Sequence, residues 1–390
     1  MTPASPAAAD DSTSPVRRRG RHGVPATDPP STEKLSLRRR ALLGVSIAAA
    51  GSASVAAVLR RGDRGTAGTG EATTVVPEGT DGLALQRAID AVHEAGGGTV
   101  QLAAGTTYLT DEHILVRSAV SLVGAGPSTV VKAGPRFLET RGPNDGYPLL
   151  TTHGAEDVRI ADLTADQSGD LLDGNVENRL HEYLVDVRRS RRVVVERVST
   201  VNPFSYSIAS VGSTDFTIRG CRTRVRTSGR YTQLDGIHVL DSSYGLVVDN
   251  DVDQGGPGRD GDDALVAHTM GRDCHHVVYR GNRVRSGRFG GGMQLAVGDG
   301  DIHHITVADN VFHDSPSGVR VGDYGGDGVV RAITIGGSRR DGNVFTRNER
   351  FAVRMLTRLG GDVHVSHNTS IGSGGFLLAD SATGAENLVR

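Results

Sequence analysis

The sequence predicts an all-β chain wound as a right-handed parallel β-helix, a solenoid of about eight or nine coils behind a short N-terminal capping helix. Three observations predict it. Segments of five to seven residues rich in Val and Ile recur with starts at Val158, Val193, Thr217, Leu246, Val277, Ile305, Ile333 and Val363, in steps of 24 to 35 residues. An asparagine recurs just after these segments, at Asn250, Asn282, Asn310 and Asn368. The chain of 390 residues has 53 Gly and no Trp, so it is built on many turns and an aliphatic core. Helical repeats of this period need amphipathic segments of about ten residues or more, and a propeller needs four strands in a longer unit. Parallel coils instead stack each residue over its counterpart at about 4.8 Å, which a column of identical residues satisfies.

The elements follow in order. Residues 1–34, rich in Ala, Pro, Ser, Thr and Arg, carry no hydrophobic period and read as disordered. Arg38, Arg39 and Arg40 then precede an uncharged run from Ala41 to Leu59, mostly Ala, Gly, Ser and Val. This resembles a twin-arginine export signal cleaved near Ala56–Ala57, and implies a secreted body with no membrane attachment after cleavage. A retained anchor facing outside is the alternative, because the run is nearly long enough to span a bilayer. Residues 1–61 thus form a leader, and 62–78 a linker.

Residues 79–135 read as the cap helix and first coils. Thr80 or Asp81 caps the helix, Leu83, Leu85, Ala88, Ile89 and Val92 form its apolar face, and Gly96–Gly98 end it. Residues 136–390 are the β-helix proper. In each coil an apolar strand leads to an Asn-bearing turn, a second short strand, a Gly-rich bend and a third strand. Cys221 falls in the asparagine column and Cys274 in a bend, so the two are expected as separate thiols. The last residues, "AENLVR", begin another coil whose open edge is expected to favour self-association.

Charge narrows the partners. Residues 1–61 hold ten basic and four acidic residues, leaving 33 basic and 41 acidic in 62–390, an acidic body that argues against nucleic acid. Only Lys34 and Lys132 are lysines, which nearly closes any mechanism that needs a cleft lysine.

The third strands align as "DGIHVLD", "DALVAHT", "GMQLAVG" and "SGVRVGD". Alternation places Ile237, Val239, Leu265, Ala267, Met293, Leu295, Val319 and Val321 inward. His238, Val266, Gln294 and Arg320 then form an outward column, with Asp235, Asp262 and Asp263 at the strand starts. Adjacent carboxylates repel, raising the pKa of one and setting an acid beside a base near neutrality.

Two resemblances follow. The stretch "TDGLALQRAIDAVHEAGGGTVQLAAGTTYLT", then "VSLVGAGPSTVV" and the Asn-bearing coils, resembles the pectate-lyase-like superfamily of β-helix proteins over roughly 79–390. That superfamily holds hydrolases, lyases, epimerases and non-catalytic spikes. The third-strand block resembles the polygalacturonase family of glycoside hydrolases. Asp235 in "QLDGIHV" matches the Asp of its Asn-Thr-Asp-Gly, Asp262 and Asp263 in "GDDALVA" its Gly-Asp-Asp, and Arg320 in "SGVRVG" the Arg of its Arg-Ile-Lys. The resemblance implies Asp262 as general acid, with Asp235 and Asp263 activating water for inverting hydrolysis, and Arg320 on the substrate. The family's Gly-His-Gly is Gly290-Gly291-Gly292 here, its final Lys is Gly322, and Gln233-Leu234 replace its Asn-Thr. These departures suggest a neutral or differently linked glycan, with His238 as a stand-in for the missing histidine.

Tyr206 and Glu182 fall roughly in register on the two preceding coils and extend the expected substrate face. His275, His276, His303 and His304 read as a repeated turn rather than a metal site. No cofactor is expected for a hydrolase. A polysaccharide lyase or uronate epimerase on the same face is the alternative, calling for Ca²⁺ on Asp260, Asp262 and Asp263 beside Arg320. Neither the Asp-Pro-His signature of alginate epimerases nor the arginine-rich motifs of pectate lyases are present. A non-catalytic glycan-binding β-helix is the third reading.

Overall fold

A computed structural model of the protein describes residues 73–139, 148–171, 183–225, 233–256, 261–356 and 358–379. The chain winds through three parallel sheets of eleven, ten and ten strands. One coil shows the plan. Cys274–Arg280 lies in the first sheet, Arg283–Gly287 in the second and Met293–Val297 in the third, each paired in parallel with its counterparts one coil before and after. Among the described residues this makes ten coils, more than the eight or nine expected, because pairing already begins at Gly98–Gln101. Thr73–Val75, in the stretch read as linker, is itself a strand on Gly98–Gln101. The leader and the end of the chain past residue 379 lie outside the described residues. Among the described residues no helix is long and apolar enough to cross a membrane.

The capping helix spans Gly82–Glu94, and the Asp81 carboxylate accepts the Ala84 N–H at 2.8 Å. Its buried face is Ala84, Leu85, Ala88, Ile89 and Val92, while Leu83, expected on that face, is exposed. The helix covers the end of the barrel and joins a core that is continuous to Val365.

Corners are built by one device. A residue with positive φ turns the chain, and the next residue stacks its side chain on the neighbouring coil. Asp249, Gly281, Asp309 and His367, with φ of 54–67°, precede Asn250, Asn282, Asn310 and Asn368. Each asparagine Oδ1 accepts the backbone N–H and Nδ2 of the previous rung at 2.8–3.0 Å, through Asn343, which the sequence reading omitted. Cys221 takes the first place, donating its N–H to Asn250 at 2.8 Å. Serines do the same at another corner, where Ser190 and Ser213 donate N–H to the hydroxyls of Ser213 and Ser242. At the last corner Ser315, Asn348 and Ser373 follow Asp314, Arg347 and Gly372.

Two starts are corrected by one residue. The inward position in the first sheet is held by Phe216 and Gly245, not Thr217 and Leu246. The pair is complementary, since a Cβ on Gly245 would stand 2.1 Å from Phe216 Cζ. Cys221 and Cys274 are buried free thiols, with Cys274 opening a strand rather than lying in a bend. Phe312 and Phe345 stack at 5.0 Å one coil apart.

Replacing Asn310 by Ala strips the acceptor from two donors of Asn282 and removes the donor to Tyr279 O. At about 1–3 kcal/mol per buried group left unsatisfied, we expect Asn310→Ala to cost on the order of 3 kcal/mol in denaturant unfolding. The terminal, more exposed rung Asn368→Ala should cost clearly less.

Candidate active site

The third sheet places its outward column as the alternation requires. Ala209, His238, Val266, Gln294 and Arg320 are successive register partners, backed by Ile237, Val239, Leu265, Ala267, Met293, Leu295 and Val319 in the core. Val321 is only partly buried against it. Asp235 and Asp263 stand just before their strands, on adjacent coils, and both are buried.

The three aspartates converge. One carboxylate oxygen from each of Asp235, Asp262 and Asp263 lies within 4.8 Å of the other two. Asp263 is held most tightly: it accepts from Arg320 Nη2 at 3.1 and 3.2 Å and from the Gly291 N–H at 2.5 Å. The Asp263 N–H donates to Asp235 Oδ1 at 3.1 Å. Arg320 Nη2 also approaches Asp262 Oδ1 at 3.9 Å. Asp262 sits at the lip, with its side chain 20% exposed against 6% and 5% for Asp235 and Asp263. Burial, reinforced by Asp263 and then Asp235, pushes the Asp262 carboxyl well above its usual range. Burial and then Asp263 do the same to Asp235. Asp263 is raised by burial too, with Arg320 opposing the shift.

His238 joins this cluster rather than standing in solvent. Its Nδ1 lies 2.7 Å from Asp235 Oδ2 and its Nε2 3.0 Å from His268 Nδ1. An ionised Asp235 would favour a charged imidazole, but burial holds His238 down to about 3. Burial thus works against charge on both partners, raising the Asp235 carboxyl and lowering the His238 imidazole. His268 is likewise held down to about 3, by burial and then by His238. It leads outward to the Tyr324 ring, 5.1 Å away. A chain of hydrogen bonds thus links Asp235, His238 and His268.

Tyr206 meets the site from the other side, stacked on His238 at 4.3 Å and on Tyr183 at 4.7 Å. Asp186, bonded to Arg188 at 2.7 Å, occupies the outward column two coils before His238. His268, Tyr183, Asp186 and Tyr324 were missed in the sequence. His268 was the most findable, as the next outward residue after Val266 in "DALVAH". Glu182 and Asp260 lie outside the described residues.

The departures from the expected motifs have physical causes. A Cβ on Gly291 would meet Arg320 Cδ and Cγ at 3.2–3.3 Å, so the arginine fills the space where a histidine would stand. A Cβ on Gly322 would fall 2.5 Å from Gln294 Nε2, which donates to the Tyr324 hydroxyl at 2.8 Å. Gln294 Oε1 is buried without a hydrogen-bond partner. A calcium cage of six to eight oxygens does not suit this cluster, because the Arg320 guanidinium already holds Asp263 and His238 holds Asp235.

Comparison with known proteins places the chain among β-helices. Residues 163–389 match the family described as "Right handed beta helix region". A mannuronan C5-epimerase of Azotobacter vinelandii is 28% identical over 249 residues, 60% of this chain and 16% of its own length. Alginate lyase 7 of the same organism is 32% identical over 179 residues, 43% of this chain and 20% of its own. The chain therefore spans about a fifth or less of these two relatives. Among solved structures, an exopolygalacturonase of Thermotoga maritima has a TM-score of 0.58 at 18% identity, covering 79% of this chain and 92% of that one. The tailspike protein of an E. coli bacteriophage, in complex with a pentasaccharide, has a TM-score of 0.57 at 16% identity, covering 83% and 59%.

The depressed imidazoles give a sign for pH. A histidine whose folded pKa lies near 3 binds its proton in the unfolded chain first, so it contributes stability above about 6.5 that is lost as pH falls toward 3. The raised carboxyls work oppositely, holding protons in the fold and losing stability as pH rises. We expect His268→Gln to flatten the loss of stability between pH 6.5 and 4 in urea unfolding, by up to one proton's worth of slope.

Proposed function

The chain belongs to the right-handed beta helix family, and from that premise we propose that it is an enzyme cleaving a polysaccharide laid across the outward column of the third sheet, with Asp262 as the general acid. The observation that carries this reading is the position of Asp262: a carboxyl at the lip of a buried cluster, pushed well above its usual range by burial and its neighbouring carboxylates, next to Asp263, whose charge Arg320 compensates. In hydrolysis Asp262 gives its proton to the glycosidic oxygen as the C–O bond breaks. Asp263 takes a proton from the water that adds to the anomeric carbon. Arg320 and the Gly291 N–H hold that carboxylate in place, while Asp235, backed by His238, accepts the Asp263 backbone N–H.

Inversion by this route needs room for water, and carboxyl groups in such enzymes stand about 6.5–9.5 Å apart. The oxygens here are closer, so Asp262 has to turn outward from the cluster, which its place at the lip permits. Gln294, Tyr206 and Arg320 would line the substrate. The loss of lysine at Gly322 favours a neutral or differently linked glycan over plain polygalacturonate.

The curated relatives favour a second reading. Their names, alginate lyase and mannuronan C5-epimerase, point to a uronate polymer. In that case Arg320 would neutralise the uronate carboxylate, and the Asp235–His238–His268 path would carry the proton taken from C5. We further propose export through the Arg38–Arg40 leader. A reporter active only outside the cytoplasm should be exported by residues 1–61, and Arg39→Lys with Arg40→Lys should abolish that.

The assay is product analysis of the protein on pectic, alginate and neutral glycans, with and without chelator. New reducing ends without unsaturated products, indifferent to chelator and reduced by about 10² or more in Asp262→Asn, are expected. Unsaturated ends would move the chemistry to elimination. Binding without turnover on every glycan would leave a glycan-binding protein.

A further inference from the structure

Eight successive strands of the first sheet carry a positive-φ residue at their second outward place: Asp157, Arg192, Asp215, Tyr244, His276, His304, Ala332 and Asp362, all at 52–58°. The residue drops out of the pairing, so that Ser243 pairs His275 and Gly245 pairs Val277. Alternation is interrupted there, and two consecutive side chains face outward on each coil. On two adjacent coils both of these are histidines. His275 and His303 are register partners with rings 4.8 Å apart and nearly parallel, and His276 lies over His304 at 4.6 Å. Within each coil the Nδ1 atoms face each other, at 2.8 Å for His275 and His276 and 2.7 Å for His303 and His304.

We propose that His275, His276 and His303 bind a divalent transition ion of the zinc class through their ring nitrogens. One nitrogen from each of these three lies within 4.8 Å of the others. A tetrahedral ion at about 2.0–2.1 Å from each sets its nitrogens roughly 3.4 Å apart, between the short and long spacings seen, so small ring rotations close the site. The second observation is Asp273: its Oδ2 lies 3.2 Å from His303 Nε2, the far nitrogen of a ring whose Nδ1 faces the cluster. Carboxylates in that position orient metal-bound histidines. The sequence offered no such carboxylate, because Asp273 reaches His303 from the preceding coil.

The donor set chooses the ion. Imidazole nitrogens suit zinc, copper and nickel, whereas magnesium and calcium want oxygen. Burial first, then neighbouring imidazoles for His275 and His276, keeps these three rings below their usual pKa and so unprotonated near neutrality, as ligands must be. Tyr244 stacks on His276 at 4.9 Å and closes one side. Arg331, the register partner of His303 on the next coil, is drawn off by Asp301 at 3.1 Å. The fourth position is left to His304 or water. The site lies on a different sheet from the aspartate cluster, so the ion would tie two coils together rather than enter the reaction.

The test is Zn²⁺ binding by the full chain without a polyhistidine tag, with Co²⁺ as the spectroscopic probe. One equivalent retained after desalting, tetrahedral Co²⁺ absorption and a higher thermal midpoint with Zn²⁺ are expected. His275→Gln and His303→Gln should each weaken binding at least tenfold, His304→Gln less. The accessible Asp273→Asn, which leaves all four rings in place, should weaken it by about 10–100-fold. Glycan turnover should be unchanged in all of them. No retained ion in the unmutated protein, or affinity unaltered in folded His303→Gln and Asp273→Asn, would overturn the assignment.

Discussion

Everything in this molecule rests on the corner rungs, where a positive-φ residue bends the chain and the next side chain stacks on its counterpart a coil away. Parallel strands pair without fixing where a coil begins, since one residue of slip keeps the hydrogen bonds and reverses every side chain. The asparagine and serine rungs remove that freedom. Each side-chain oxygen accepts one particular backbone N–H of the coil before it, so register is set at the corner and carried into all three sheets. The outward column of the third sheet inherits its alignment from there. Loops of quite different length, such as the longer passage before Asn343, can then be absorbed without disturbing the face.

On that face, burial does most of the electrostatic work. Three carboxyl groups share a space that water scarcely enters, and a single guanidinium answers them. The arrangement is self-consistent in its substitutions: the glycine at 291 lets the arginine lie where a larger side chain would block it, and the glycine at 322 makes room for the Gln294–Tyr324 bond. Motif departures that look like losses along the sequence are exchanges of volume between neighbouring coils. The Asp235–His238 pair is of the same kind, since burial raises the carboxyl and lowers the imidazole and so disfavours charge on either.

The fold was legible because its repeat is written in residues that have few other uses. Asn250, Asn282, Asn310 and Asn368 marked one corner, and alternation in "DGIHVLD" and "DALVAHT" correctly assigned the inward and outward sides. Errors arose where the backbone breaks its own period. Thr217 and Leu246 were misplaced by one because the positive-φ residues Asp215 and Tyr244 insert an unpaired position that no side-chain pattern announces. Asn343 was passed over because a longer loop shifts its count. Within the site, Asp235, Asp262, Asp263 and Arg320 were readable from type and spacing. His268 was not, because its role comes from His238, thirty residues away in sequence; Asp186 was not, because its place in the outward column is set by parallel pairing with Ala209 on the next coil.

The corner rungs also have a direction. In the asparagine and serine rungs the backbone N–H belongs to the earlier coil and the side-chain oxygen to the later one. As the chain leaves the ribosome, a freshly made coil therefore presents amides whose partners have yet to be synthesised, and each new coil completes the one before it. The same polarity means that no rung counts how many precede it, so coils can be duplicated or deleted in evolution without rewriting those that remain.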